Sequence, residues 1–145
     1  MKKTDIAYTA GIIDGEGCIT IGKRTSRTCR SGMRYGLSVK VSSTDEWLCQ
    51  WLKLAWGGSI YLHKSKKTKW SDAWCWTIQT NMAVEFLRII LPYLNLKRPQ
   101  AELALSFQEV HRRRGNYKTE AQLAIEEAQY ILMKQMKGKK AKEVR

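Results

Sequence analysis

Two acidic residues alternate with glycine in the segment Asp14-Gly15-Glu16-Gly17. Helical spacing of apolar residues leads into this segment, and the alternation of apolar and polar residues after it predicts a β-strand. The carboxylates therefore lie where a helix ends, and the helix dipole disfavours negative charge there. Carboxylates and backbone carbonyls are the oxygen ligands that Mg²⁺ prefers, and a bound cation would remove the conflict. The ordinary turn chemistry of Asp-Gly and Glu-Gly pairs is the alternative.

The helix that leads into these acids carries a face with almost no side-chain bulk. Ala7, Ala10, Gly11 and Asp14 fall at positions i, i+3, i+4 and i+7 and share this face. Small residues at this spacing allow the backbone of a second helix to approach closely. We therefore predict that these four residues form a helix-packing surface.

Alternation with a period of two residues recurs four times after this helix, which predicts an antiparallel sheet. One face of that sheet is apolar and would pack on helices, and the other is polar or basic and would stay in solvent. The four segments are residues 19–22, 37–42, 60–63 and 74–78.

Helical patterns fill the remaining chain. Thr44-Asp45-Glu46 would cap a helix that stops at Gly57-Gly58, Asn81 would cap a second that reaches Pro92, a third would follow from Pro99 to about His111, and the last would start at Thr119. The order is αββαββα with one or two further helices, which places the fold in the α+β class. Four tryptophans on apolar positions are predicted to be core: Trp47, Trp51, Trp74 and Trp76.

The net charge of +13 at pH 7 and the pI near 9.8 indicate a polyanionic partner, nucleic acid before membrane. No segment is long and apolar enough for a transmembrane helix or a signal peptide. The four cysteines lack the spacing of a zinc site, and we expect reduced thiols in an intracellular protein. We expect one domain over residues 1–136 and a basic, disordered tail over residues 137–145, which would attract DNA nonspecifically.

The polar face of the sheet is the predicted DNA-binding surface, because β-strands fit the major groove and basic side chains there read bases or contact phosphates. Eight residues share the outward parity: Thr20, Arg24, Ser38, Lys40, Ser42, Tyr61, His63 and Cys75. Four further candidates are expected on loops, where they would contact phosphates: Arg27, Arg30, Arg34 and Lys66.

Residues 9–17, preceded by Tyr8, resemble the signature motif of the LAGLIDADG homing endonucleases. Thr9 is the clear departure, because the motif opens with Leu. Ile12 replaces a Leu conservatively, Gly15 is a common variant of Ala, and Glu16 stands where Asp is more frequent. The motif also has the expected context, since it ends a helix and opens a strand.

The resemblance implies a saddle-shaped antiparallel sheet over DNA, backed by helices. Only one copy of the motif is present, and single-motif members of this family are homodimers in which the motif helices form the central interface. The implied activity is site-specific cleavage of both strands of a long, near-palindromic DNA target by phosphodiester hydrolysis. Because the chain begins at Met1, we expect an intron-encoded rather than an intein-encoded protein.

The resemblance also implies the site residues. Glu16 and the Gly15 carbonyl would bind Mg²⁺, with Mn²⁺ as a substitute, and Asp14 would have a structural task at the helix interface. Lys97 falls where the family places a basic residue near the scissile phosphate. Ser42 or Ser43 would orient water, and we predict Ser43.

Two other classes of function fit parts of the sequence. One is a non-cleaving LAGLIDADG protein, either a maturase that binds intron RNA or a DNA-binding regulator. The other is a basic structural or ribosome-associated protein, which would explain the charge but not the acidic turn. The effect of replacing Glu16 on cleavage and on binding discriminates among them.

Overall fold

The computed structural model describes residues 1–27, 32–67, 69, 71–112 and 118–143. The elements follow the predicted order αββαββα, and two more helices come after it, which confirms the α+β class. They are α1 (Lys3–Glu16), β1 (Gly17–Thr25), β2 (Met33–Ser43), α2 (Glu46–Trp56), β3 (Ser59–His63), β4 (Ala73–Gln79), α3 (Thr80–Ile90), α4 (Arg98–Arg112) and α5 (Glu120–Glu143). A 3₁₀ turn at Leu91–Tyr93 links α3 to the segment before α4.

The four strands form one open antiparallel sheet in the order β1-β2-β4-β3. The apolar residues predicted to alternate face one side of this sheet and are buried against the helices. This core contains, among others, Ile19, Ile21, Leu37, Val39, Val41, Trp76 and Ile78 from the strands and Leu52, Phe86, Leu87 and Phe107 from the helices. None of the helices in the described part of the chain forms such a layer on the opposite side of the sheet.

The predicted start and stop signals of α2 act as expected. The Asp45 carboxylate accepts a hydrogen bond from the Trp47 amide at 2.9 Å, which satisfies one of the free amides of the first turn. Gly57, with φ of 79°, ends the helix in a conformation that favours glycine, and its carbonyl accepts the indole N–H of Trp76 at 2.8 Å. The tertiary contact thus joins the end of α2 to β4.

Part of the predicted tryptophan core is wrong. Trp76 is fully buried, whereas Trp47 is 61% exposed, and Leu54, which follows it on the same side of α2, is 88% exposed. Trp51 lies between them on this side, and its ring meets that of Tyr8 in α1 edge to face, with centroids 5.1 Å apart. Apolar side chains at helical spacing therefore form a second, exposed surface beside α1.

The C-terminal segment also differs from the expected disordered tail, because α5 continues to Glu143. The helix is anchored upstream, where the Glu127 carboxylate accepts hydrogen bonds from the Tyr35 hydroxyl and the Lys23 ammonium. These two donors lower the pKa of the Glu127 carboxyl. The contacts hold α5 along β1, an edge strand whose unpaired backbone would otherwise be open to association.

No helix in the described ranges combines the length and the apolar character that crossing a membrane requires.

Two glycines of the acidic segment give a matched pair of expected effects. A Cβ atom at Gly17 would lie 2.7 Å from Cα and 2.8 Å from the carbonyl oxygen of Ile13, whereas one at Gly15 would meet nothing within 4 Å. We expect Gly17→Ala to destabilise the fold by about 1–3 kcal/mol, because the backbone must shift. We expect Gly15→Ala, within a helix, to stabilise it by up to about 1 kcal/mol. Urea unfolding measures both, and effects of the same sign would contradict the structure.

Candidate active site and nucleic-acid interface

Asp14 joins α1 to the segment that precedes α4. Its carboxylate oxygens accept hydrogen bonds from the backbone amides of Asn95 and Lys97, each at 2.9 Å. The Lys97 amide lies directly before the first residue of α4, where amides lack an intrahelical acceptor. The side chain is therefore turned towards its own chain and holds this segment in place.

Lys97 completes the junction from the other side. Its ammonium donates to the carbonyl oxygens of Ile13 at 2.8 Å and Asp14 at 3.1 Å. The last turn of α1 contains no basic residue of its own, and a cation at the negative end of a helix is stabilising. A lysine more than eighty residues away in the sequence thus supplies a cation to the acidic end of α1.

Glu16 is the last residue of α1, and its side chain is exposed. No other described residue forms a hydrogen bond or an ion pair with its carboxylate. It lines an open surface depression of about 410 Å³ together with Ser42, Ser43, Thr44 and Ala73. The predicted catalytic acid and both candidate serines, which lie at the end of β2, thus line the same depression.

The two serines differ in orientation. Ser42 pairs with Cys75 in β4 and is exposed, on the side of the sheet away from the core. Ser43 follows with the opposite parity, and its hydroxyl oxygen accepts the Asp45 amide at 3.0 Å in the turn that leads into α2. Ser43 therefore helps to shape the turn as well as lining the depression, and a role for either serine in orienting water remains a prediction.

The chemistry of these groups fits a divalent cation only in part. Glu16 offers hard oxygen donors, and the Gly15 carbonyl lies among the last carbonyls of α1, which lack an intrahelical donor. Nowhere in the described part of the chain do three or more His, Cys, Asp or Glu side chains form a group suited to a metal ion. The described residues of one chain therefore contribute too few acidic ligands for a complete site.

We call the side of the sheet away from the core the outer face. The strand register places the predicted DNA-binding residues of the strands together on this face, across all four strands. Thr20 pairs with Ser38, Arg24 with Arg34, and Tyr61 with Cys75, while Lys40 and Ser42 continue along β2 and His63 ends β3. The parity predicted from the sequence is therefore correct.

Two of these candidates need a different description. Cys75 has the predicted parity but is only 4% exposed, so it cannot offer a contact surface. Arg34 belongs to β2 and stands on the outer face, so its predicted loop position is wrong. Arg27 and Lys66 are exposed on loops, and Arg30 lies outside the described residues.

The pairing of Arg24 with Arg34 is a local electrostatic conflict. Like charges directly opposite each other on neighbouring strands destabilise a sheet. Within the described residues, neither these arginines nor Lys40 has an acidic partner. An anion on the outer face would relieve the repulsion.

Lys137 was not singled out in the sequence, because it lies in an undifferentiated basic run. In the structure its ammonium contacts the Cys18 thiol at 3.1 Å and the Thr20 hydroxyl, at the start of the outer face of β1. Burial would raise the pKa of Cys18, but the hydrogen bond with Thr20 and the nearby Lys137 lower it. α5 thus adds a cation at the start of β1 that local sequence patterns could not reveal.

The predicted stripe on α1 is only partly exposed. Ala7 and Gly11 are exposed, and Gly15 extends their row by one more turn. Ala10 is fully buried in the chain's own core, so its assignment to an interface between subunits is wrong. The reason is geometric: at i+3 from Ala7 it lies on the side of the helix that packs on the sheet and α3.

A family model described as LAGLIDADG endonuclease matches residues 9–111. The match covers more than half of the chain, including the second half of α1 and the segment that contains Lys97. The chain belongs to the LAGLIDADG endonuclease family. The predicted family is therefore confirmed.

Solved structures of homing endonucleases share the fold at low sequence identity. The homing endonuclease I-CvuI in complex with the I-CreI target is 20% identical and has a TM-score of 0.78, with coverage of 92% of this chain and 82% of that one. The archaeal intron-encoded homing endonuclease I-Vdi141I complexed with DNA is 13% identical, with a TM-score of 0.79 and coverage of 94% and 86%. The meganuclease I-SmaMI bound to DNA is 15% identical, with a TM-score of 0.73, and 44% of its chain is covered. No curated protein sequence matches this chain.

Asp14→Asn tests the junction at the end of α1. The amide has one acceptor oxygen and no charge, so at least one of the two backbone hydrogen bonds is lost, and we expect a destabilisation of about 1.5–3 kcal/mol. Asp5→Asn removes the same charge from the first turn of the same helix, where about 0.3–1 kcal/mol is expected from the helix dipole. Urea unfolding of both variants gives the comparison. Equal losses would contradict the structural role of Asp14.

Proposed function

We propose that this LAGLIDADG family member is a site-specific DNA endonuclease. It would act as a homodimer and make a divalent-metal-dependent double-strand break in a long, near-palindromic target. The observation that carries the proposal is the position of Glu16, whose exposed carboxylate has no partner among the described residues and borders the same depression as Ser42 and Ser43.

Each residue around this depression would have a separate role in the reaction. Glu16 and the Gly15 carbonyl would hold the cation, which when bound would activate water and stabilise the leaving oxygen. Lys97 is held within one helical turn of Glu16 and would bring positive charge to the phosphoryl group at the transition state. The serines would position water, and Asp14 would position Lys97.

The outer face would bind the DNA. Arg24, Arg34 and Lys40 lack acidic partners in the described structure, and a polyanion would turn the Arg24–Arg34 repulsion into attraction. The fold relatives I-CvuI and I-SmaMI are described in complexes with DNA, and structures of I-CvuI with 2 mM Mg or Ca are among them. These complexes support DNA as the partner and a divalent cation as the cofactor.

Dimer formation would explain both the incomplete metal site and the exposed face of α1. Ala7, Gly11 and Gly15 offer a row of small residues for close helix approach. A two-fold axis along this row would bring two Glu16 side chains together, one from each subunit. The exposed apolar surface of Trp47 and Leu54 beside α1 would then add buried area to the interface.

Cleavage selection is the experiment that tests the activity. We expect the purified protein with Mg²⁺ or Mn²⁺ to cut a near-palindromic site out of a randomised duplex library. On that site Glu16→Gln should lower the cleavage rate by at least about 100-fold, with DNA affinity retained in the presence of Ca²⁺. The rate comes from gel-resolved cleavage and the affinity from fluorescence anisotropy.

Glu85→Gln is the matched control, because it makes the same change at an exposed position of α3 and should leave cleavage unaltered. A wild-type chain that enriches a DNA site without cutting it would refute the nuclease proposal and indicate a DNA-binding regulator. Binding to structured RNA alone would indicate a maturase.

Gly11→Leu tests the interface. A Cβ at Gly11 meets nothing within 4 Å in its own chain, so the subunit can fold, but the added bulk would hold two helices apart. We expect the dimer dissociation constant to rise about tenfold or more, measured by analytical ultracentrifugation. Ala124→Leu, on an exposed position of α5, is the control. A monomeric wild-type protein, or a variant that dimerises as well as wild type, would contradict the proposed interface.

A further inference from the structure

The outer face contains a gap where two strands both lack a side chain. Gly22 of β1 pairs directly with Gly36 of β2, and both point their missing side chains to the outer face. On one side of this pair stand Arg24 and Arg34, and on the other stand Thr20 and Ser38. The gap therefore interrupts a continuous ladder of polar and basic side chains.

The fold itself does not require these glycines. A Cβ at Gly36 would meet nothing within 4 Å, and one at Gly22 would be in ordinary contact with the Gly36 carbonyl oxygen at 3.7 Å. Neither residue has positive φ, unlike Gly32, Gly57 and Gly58. Glycine weakens the interior of a strand, and in strands it often marks a place where something else matters. The reason for the pair lies outside the chain's own packing.

We propose that the Gly22–Gly36 pair leaves a short run of base pairs without side-chain contacts inside each half of the DNA target. We call this run the window. The inference depends on the proposed function, since it concerns how the outer face reads duplex DNA. Residues on one face of a strand repeat about every 6.8 Å, which is close to two base-pair steps of about 3.4 Å. A single cross-strand pair without side chains thus corresponds to about two adjacent base pairs.

The surroundings favour a gap over a close approach of DNA to the backbone. The long side chains of Arg24 and Arg34 on one side, and of Lys40 two rungs away on the other, stand above the glycine surface. A stiff duplex that rests on these side chains is held away from the bare backbone between them. The two base pairs that lie over Gly22 and Gly36 then meet no hydrogen-bond donor or acceptor of the protein, and only their stacking and shape affect binding.

Cleavage profiles over all single-base variants of the selected target test this inference. For the wild-type protein we expect about two adjacent positions in each half-site, flanked on both sides by read positions, at which every base is tolerated within about threefold. The read positions should lose about fivefold or more on substitution. Gly36→Gln adds a hydrogen-bonding side chain and should create a base preference of about fivefold or more within the window, with the flanking profile unchanged.

Gly36→Ala and Ala124→Gln are the controls, because the first fills no part of the groove and the second places the same amide on an exposed position of α5. Both should retain the wild-type profile, and circular dichroism should show all variants folded. A protein that cleaves with no internal window overturns this inference alone. Weaker binding of Gly36→Ala to every sequence also overturns it, by revealing a close backbone approach. A wild-type chain that neither binds nor cleaves duplex DNA overturns the proposed function and this inference together.

Discussion

The structure depends on how the negative end of α1 is neutralised. This helix end carries two acidic residues and no basic one, and Lys97 crosses from the segment before α4 to donate to its last carbonyls. In turn, the Asp14 carboxylate accepts hydrogen bonds from two backbone amides of the same segment. With both of these charges satisfied inside the chain, Glu16 is left as the one acid of the pair that faces solvent beside the sheet. Hydrogen bonds between these charged side chains and the backbone thus give two neighbouring carboxylates different surroundings.

The outer face shows the opposite electrostatic arrangement, because Arg24, Arg34 and Lys40 have no acidic partner among the residues that the structure describes. Opposing arginines on β1 and β2 and a bare glycine pair beside them both weaken a sheet. The apolar face of the same strands is packed into a continuous core with the helices. The packing of that core offsets the destabilising effect of the opposed arginines and of the glycine pair on the outer face.

Thr9, the residue that departs most clearly from the family motif, has a specific place in this fold. It is fully buried, its hydroxyl donates to the Asp5 carbonyl at 2.7 Å, and its oxygen accepts the indole N–H of Trp56 at 3.1 Å. Trp56 in turn meets Phe86 edge to face, with centroids 4.9 Å apart. A polar residue can replace a buried leucine here because a tryptophan donor satisfies it. Thr9 and Trp56 thus form a buried polar contact at the start of the motif.

Local patterns in the sequence determined the elements and the two faces of the sheet. Strand alternation and the signals at Asp45 and Gly57 act over a few residues, so they can be read without a fold. Only the tertiary structure decided that Lys97 reaches the end of α1, that Ala10 is buried and that Trp47 is exposed. These outcomes depend on which elements pack together, and segments more than eighty residues apart meet at the α1 junction. Periodicity shows which side of an element is apolar, but the neighbours that cover it are chosen by the packing of the whole domain.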